Sequence, residues 1–430
     1  MEISSNVKKT IVLVFRILLG CVFVFSGYVK AVDPLGSTYK FQDYLGAMGL
    51  DFLAPLALVA GVLLAALEFL LGVCLLLGAN IKSTSVLTFL LMCFMTPLTL
   101  WIAIADPVSD CGCFGDALVI SNWATFWKNV VLIVMAFVVM KWHEHSPKLF
   151  SQRTEWIIAI ASGAYSILIS IYCYFNLPII DFRPYKNGTN IPKSMEVPEG
   201  APVDEYETSF IFENADGQLK KVSMEEYSSV DTAVWKFKDS ESVLTKKGYE
   251  PPIHDFTMED PENGDITEDV VNNPGYTFLL VSYRVEGAST MKRKEINAIY
   301  DYARNNGYGF YCMTATGLET TEMREYKVEM GGVEYPIVNT DEITLKTIVR
   351  SNPGLVLIKD GVIINKWSNK NMPSFDEPLE NSPRGEVQTP NDMRVILLSS
   401  LFFLGVLVAL FALDKIVSQI VDRFVNLQKK

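Results

Sequence analysis

Six apolar runs, each near the length that crosses a lipid bilayer, constrain this chain more than any motif in it. They are roughly Thr10–Val32, Leu53–Gly78, Ser83–Ala105, Trp123–Trp142, Trp156–Leu177 and Met393–Leu413. A hydrocarbon core about 30 Å thick takes ~20 residues of helix. Lipid offers the backbone no hydrogen-bonding partner, and the runs lack the alternation of a closed barrel, so helices are the expected form. The first run is too long, and too weakly flanked by a small-residue cleavage site, for a removable signal peptide, and is expected to stay as an anchor.

The basic residues set an expected orientation. Lys8 and Lys9 precede the first run, Lys82 lies between the second and third, Lys141, Lys148 and Arg153 lie between the fourth and fifth, and Lys429 and Lys430 end the chain. All fall on one side if the spans alternate, and the positive-inside rule assigns that side to the cytoplasm. Both termini are then cytoplasmic. The loop from Asp33 to Asp51, the pair Cys111 and Cys113, and everything from about Asp181 to Pro390 are outside, in the periplasm if this is a bacterial inner membrane. That last stretch holds 36 acidic against 22 basic residues, more than the whole net charge of −12. An acidic exterior speaks against nucleic acid as a partner. The bilayer and a periplasmic client or partner protein are the expected partners.

The fold class expected is mixed: an α-helical membrane bundle with an α/β domain outside it. Residues 1–145 read as a four-span bundle with short connections, and Gly20, Gly27, Gly61, Ala65, Ala66 and Gly72 would let its helices approach closely. Residues 146–182 contain a fifth span. Residues 183–274 read as a periplasmic linker with a β-hairpin, Thr208–Phe212 and Gln218–Val222 about an Asn214-Ala-Asp-Gly217 turn, and the acidic stretch Glu259–Asp269 reads as exposed linker. Residues 275–380 follow a strand–helix–strand–helix–strand–strand order: Thr277–Tyr283, Met291–Asn305, Tyr308–Thr314, Glu319–Met330, and a hairpin from Gly354 to Trp367 turned at Asp360-Gly361. Residues 390–430 hold the sixth span and a tail.

Intramembrane charge marks function by default. Arg16 and Glu68 lie in the first two spans, where they would either pair to fix helix register or line a polar pocket for a quinone or another small molecule. Lys30 and Asp33 are expected to anchor the outer end of the first span.

The residues most able to carry chemistry are Cys111 and Cys113 in Asp110-Cys-Gly-Cys-Phe-Gly-Asp116, a loop between two spans. Such a pair can exchange a disulfide, staple the loop, or bind metal. A disulfide across one residue closes a strained ring, which makes it easier to reduce. Metal would need further ligands, yet His143 and His145 are placed on the opposite side, leaving His254. Asp110 and Asp116 would raise a thiol pKa and oppose a reactive thiolate. Cys21, Cys74, Cys93 and Cys173 sit in spans as small packing residues, with Cys173 nearest to a possible relay. The chain has no phosphate-binding glycine loop, no His-Glu-x-x-His and no Gly-x-Ser-x-Gly.

Residues 1–145 resemble the DoxX-like membrane proteins, in their MauE (methylamine utilisation) branch. The resemblance is carried by Arg16, Gly20, Phe25-Ser26-Gly27, Lys30 and Asp33-Pro34, then Glu68, Gly72 and Gly78, the Cys111-Gly-Cys-Phe-Gly115 loop, and Asn129. It implies a four-helix bundle linked to periplasmic disulfide formation or maturation of a partner. Residues 275–380 resemble a thioredoxin-like domain, with Asn352-Pro353 before a strand, turn and strand; Pro353 would then line a peptide groove. The redox Cys-x-x-Cys of that family is replaced by Arg284-Val-Glu-Gly-Ala-Ser289, so the domain lacks a low-pKa nucleophile, and Cys312 reads as a core thiol. Two functions stay open: a thiol–disulfide oxidoreductase passing electrons from Cys111 and Cys113 to a membrane acceptor such as quinone, or a non-enzymatic assembly scaffold with structural cysteines and a peptide-binding domain.

Overall fold

The computed structural model describes residues 4–428 apart from 109–110, 153, 215–216, 225, 233, 247, 333 and 389–391. Asp110, Arg153, the Ala215-Asp216 turn, Pro390, Lys429 and Lys430, which enter the sequence reading, lie outside the described residues. Among those described, six helices are long and apolar enough to cross a membrane, which makes this a multi-pass membrane protein in contact with lipid. They are α1 (Ser5–Val32), α3 (Ala57–Leu77, continued upstream by a 3-10 turn from Asp51), α4 (Ile81–Ala105), α5 (Asn122–Lys141), α6 (Glu155–Phe175) and the long α12 (Asp392–Gln428).

Helices α1 and α3 pack antiparallel along a seam of small residues. A Cβ on Gly27 would collide with the Phe69 nitrogen and the Ala65 carbonyl, and one on Gly72 with the Val24 backbone and the Gly20 carbonyl. Close backbone approach of this kind is how helices associate in lipid, where there is no hydrophobic drive between them. Helix α3 stops at Gly78, whose φ of +70° suits a residue without a Cβ, and its nitrogen and that of Ala79 close the last turn on Leu75 and Cys74. Leu19, Phe23, Leu71, Leu75, Met92, Leu132 and Val139 fill the bundle core. At this end of the bundle, Asp414 of α12 accepts hydrogen bonds from the Ser151 nitrogen and hydroxyl and the Thr154 hydroxyl, fastening the last helix to the start of α6.

The stretch after the first span is a helix, α2 (Pro34–Ala47), where the sequence reading had a plain loop. Asp33 caps it by accepting from the Gly36 nitrogen at 2.9 Å, and Pro34 occupies its first turn, both helix-start signals.

Outside the bundle lies an α/β domain. In chain order its elements are α7 (Ile191–Met195), β1 (Glu205–Glu213), β2 (Leu219–Ser223), β3 (Lys236–Lys246), β4 (Glu259–Asp260), β5 (Gly264–Asp265), α8 (Thr267–Val271), β6 (Tyr276–Val281), α9 (Arg293–Asn306), β7 (Gly309–Thr314), α10 (Thr321–Glu329), β8 (Ile337–Asn339), α11 (Glu342–Ile348), β9 (Gly354–Lys359) and β10 (Val362–Ser368). A seven-stranded sheet runs β10-β9-β6-β7-β8-β4-β5, with β6, β7 and β8 parallel and β9 antiparallel to β6. Successive residues of β6 serve opposite faces: Phe278 and Leu280 pack with Ile296, Ile299 and Met323, whereas Leu279 and Val281 pack with Phe256, Met258 and Leu345. A strand buried on both faces reads as an unbroken apolar run. Asp360 (φ +48°) and Gly361 (φ +68°) form the two-residue turn of the β9–β10 hairpin.

Three departures from the sequence reading stand out. The hairpin β1–β2 forms and gains a third antiparallel strand, β3. The acidic stretch Glu259–Asp269 is not a free linker: β4 and β5 extend the large sheet, and Met258, Val270 and Val271 are buried in its core. Between Tyr335 and Val349 lie a third parallel strand and a further helix, β8 and α11, too short to give a periodic signal.

Candidate functional site

The two cysteines meet in a loop that folds back over one mouth of the bundle. Gly112 (φ +60°) and Gly115 (φ +52°) take left-handed backbone, and the Gly115 nitrogen donates to the Gly112 carbonyl at 3.0 Å. The turn brings Cys111 Sγ to 3.1 Å from Cys113 Sγ, with both thiols free. From beneath, the Cys113 carbonyl accepts from Lys30 Nζ and Ser26 Oγ, each at 2.8 Å. The Tyr44 hydroxyl of α2 donates to the Cys111 carbonyl. Both peptide units of the pair are therefore pinned by side chains of α1 and α2.

Lys30 is the centre of this support. Its Nζ lies 2.7 and 3.0 Å from the two Glu68 carboxylate oxygens and 2.7 Å from Ser26 Oγ, and the Ser26 hydroxyl shares its one hydrogen between the Cys113 carbonyl and Glu68, each at 2.8 Å. Lys30 and Glu68 are both buried. A buried carboxylate needs such a partner, because desolvation alone would neutralise it. This corrects the expectation that Arg16 pairs with Glu68. Arg16 lies about four turns away at the opposite end of α1, where its Nη1 donates to Ser146 Oγ at 2.6 Å and the Pro147 carbonyl at 2.7 Å. Glu68 takes Lys30, which the sequence reading had left as an anchor.

Beside the thiols opens a cavity of about 360 Å³, lined by Cys111, Cys113, Ser26, Lys30, Glu68, Lys128 and Asn129 and by an apolar wall including Phe23, Leu64, Met92, Leu98 and Leu132. Lys128 of α5 stands 4.2 Å over the Phe114 ring. Asn129, one of the residues carrying the family resemblance, donates to Thr99 Oγ1 at 3.2 Å in the α4–α5 contact. Met48, Phe94 and Leu98 also line a second, wider cleft with Ala47, Cys93, Pro97 and Trp101. Met48 and Phe94 are exposed, so the cavity leads out between α2 and α4.

The electrostatics separate the two thiols. The hydrogen bond from Cys111, aided by the charges of Lys128 and Lys30, lowers the Cys113 thiol against its burial. The same bond, with burial, pushes Cys111 up. One thiolate stabilised by a neighbouring thiol and two ammonium groups is the pattern of a reactive cysteine. The opposing effect expected from Asp116 is met by a cation the sequence did not point to. Arg350, from the turn between α11 and β9, places Nη2 2.8 Å from Asp116 and 2.9 Å from Asp33.

That ion cluster docks the α/β domain onto the bundle. Tyr39 of α2 meets the Tyr283 hydroxyl at 3.3 Å, and Lys346 of α11 lies 4.7 Å over the Tyr39 ring. Tyr283 follows the end of β6 and Arg350 precedes the start of β9, whose ends are paired through Val281 and Gly354. Pro353 sits buried at the same end of the sheet, behind a cis Asn352–Pro353 bond. Burial takes Cys312 up to about 12 inside the domain core, while Cys173 is buried in α6. Among the described residues no group of three or more His, Cys, Asp or Glu side chains could hold a metal ion.

Fold and site define a multi-pass membrane protein whose α/β domain is docked beside a half-buried thiol loop. Residues 8–141 match the family model of the methylamine utilisation protein MauE. The match runs through α1–α5 and the cysteine loop and leaves the α/β domain and the last two spans outside it. No curated protein and no solved structure matches the chain.

Proposed function

We propose that the protein is a bacterial inner-membrane thiol–disulfide oxidoreductase, with Cys111 and Cys113 as the exchanging pair and the α/β domain and cysteine loop on the periplasmic side. The observation that carries the reading is the pair itself: two thiols at 3.1 Å, one of them held low by Cys111, Lys128 and Lys30, at the mouth of a largely apolar cavity. The orientation is supported by Lys8, Lys9, Lys82, Lys141 and Lys148, which lie at the bundle end opposite the thiols if the spans alternate.

The exchange balances as follows. A client thiolate attacks Cys111 Sγ of the oxidised pair, and Cys113 departs as the thiolate, since the thiol of lower pKa leaves faster. The second client thiol displaces Cys111, which gives a client disulfide and a reduced pair. The pair then re-forms its own disulfide, yielding two electrons and two protons to a lipid-soluble acceptor of the quinone class, which leaves as hydroquinone. The cavity fits such an acceptor: its wall is apolar, it reaches the lipid face past Met48 and Phe94, and Lys128 can donate to a ring oxygen. The client is taken to be a periplasmic protein matured by disulfide formation, as the resemblance of residues 1–145 implies.

The α/β domain is read as thioredoxin-like, supported by the order of β7, β6, β9 and β10 with α9 between β6 and β7. It carries no thiol where β6 gives way to the next helix, so the chemistry belongs to the bundle. Trapping tests the proposal. In Cys113→Ala the Cys111 thiolate can attack the disulfide of an oxidised client, releasing one client thiol, and the mixed disulfide should accumulate because Cys113 is no longer present to displace the client; it is visible as a reductant-sensitive shift on a gel. Full function of Cys111→Ser at unchanged protein abundance would instead favour the scaffold role.

A further inference from the structure

We infer that Lys128 is a catalytic residue of the reoxidation step: its ammonium stands by the charge on the thiol pair before electrons leave it, stands by the same charge on a ring oxygen of the acceptor afterwards, and hands that oxygen a proton. The inference rests on the thiol-to-quinone reading above and deepens it by giving one side chain a part in the chemistry.

Three cations line the cavity, Lys30, Lys40 and Lys128. Lys30 is fully used: Ser26 Oγ, both Glu68 oxygens and the Cys113 carbonyl lie within 3.0 Å of its Nζ, and an ammonium has only three N–H bonds to give. Lys40 lies with its stem against Gly112 and is itself engaged. Lys128 differs. Its Nζ stands 4.2 Å over the ring of Phe114, the residue next to Cys113. The side chain is therefore turned toward the cysteine loop, where a lysine near a helix end ordinarily runs out to the headgroups. Among the described residues it has no carboxylate partner and no hydrogen-bond acceptor, so its three donors are unspent. Its charge nevertheless acts on both thiols. A half-buried ammonium beside an apolar wall is costly without an anion, and the reaction brings one to it.

In the reduced pair Cys113 carries the negative charge and Cys111 keeps its proton. Closing the S–S bond takes one electron from each sulfur, and the quinone receives both. One proton passes to the quinone from Cys111 and one from Lys128, which recovers its own from water; that proton matches the one Cys113 released on ionising. Two thiols and a quinone become a disulfide and a hydroquinone. The charge that leaves Cys113 arrives on an oxygen beside the same ammonium, so little around it must reorganise, which is how a fixed charge accelerates a step.

The test is anaerobic reoxidation of the reduced pair, in the full chain in nanodiscs, by a benzoquinone carrying one isoprene unit. It is run at about pH 9, where a thiol of ordinary pKa, about 8.5, is already ionised, so that a changed Cys113 does not limit the rate. Oxidised glutathione, which exchanges with the thiols directly, is the parallel oxidant. Lys128→Met should lower kcat with the quinone about a hundredfold and change KM far less, the mark of an interaction made in the transition state. Its rate with oxidised glutathione should stay within about threefold of the unsubstituted protein. Lys128→Arg, which keeps the charge and the donors, should recover most of the loss. Quinone kinetics left unchanged by Lys128→Met, a rise in KM alone, or equal losses with both oxidants would each overturn this inference and spare the thiol reading. An unsubstituted protein that oxidised glutathione oxidises and the quinone does not would overturn the quinone reading itself.

Discussion

Lys30→Met is the substitution that probes the support of the site most severely. Met keeps the length of the side chain and removes its charge, so Glu68 keeps Ser26 but loses the ammonium at 2.7 and 3.0 Å, and the Cys113 carbonyl loses one of its two donors. Breaking a buried ion pair by removing one partner costs about 3–5 kcal/mol, because the remaining charge stays desolvated. For a unit of 150–250 residues, 1 kcal/mol moves Tm by ~2–4 °C. The bundle should therefore melt roughly 6–20 °C lower, read by tryptophan fluorescence in detergent. Glu68→Gln should cost a similar amount. The double substitution removes both charges and should cost no more than about 2 kcal/mol, giving a coupling of at least about 4 kcal/mol between the two sites. Additive losses in the double variant would refute the reasoning, since they would mean that Lys30 and Glu68 act independently.

Further outcomes follow from the same geometry. Cys113, lowered by the hydrogen bond from Cys111 and by Lys128 and Lys30, should gain its thiolate before Cys111 as pH rises, so iodoacetamide at pH 7 should label Cys113 first; equal labelling would show that the two thiols are not differentiated. Leu64→Trp, directed into the cavity, should slow reoxidation of the reduced pair by added quinone about tenfold or more while leaving the alkylation profile in place. Alkaline phosphatase fused after Lys220 should be active, and a cytoplasmic reporter at the same point inactive; the reverse pattern would invert the topology.

The parts of this protein legible in its sequence are those with a long local signal. Six apolar runs give six helices because each satisfies its own backbone in lipid, and β6 and β9 are visible as unbroken apolar stretches. Helix α2 escaped because Pro34–Ala47 mixes polar and apolar residues weakly, although Asp33-Pro34 is a readable helix start. The false Arg16–Glu68 pair came from matching charges without register. Arg16 and Lys30 are separated by about 21 Å along α1, and the antiparallel seam Gly20–Gly72 and Gly27–Ala65 brings Glu68 to Lys30. Cys111 and Cys113 were found as residues, yet their asymmetry depends on Lys128 and Lys30 from two other helices. Arg350 carries no motif and reaches Asp116 across 234 positions of chain, so only the packed structure reveals it.

The central claim is that Cys111 and Cys113 interconvert between dithiol and disulfide while the protein is folded. A membrane-impermeant maleimide applied across a graded glutathione series, in oriented membrane vesicles, measures that interconversion directly. The account predicts a midpoint more oxidising than about −300 mV, the limit below which structural disulfides lie, with labelling from the face that carries the α/β domain. A pair that stays fully oxidised below about −300 mV, and whose loss lowers stability instead of exchange, would contradict it.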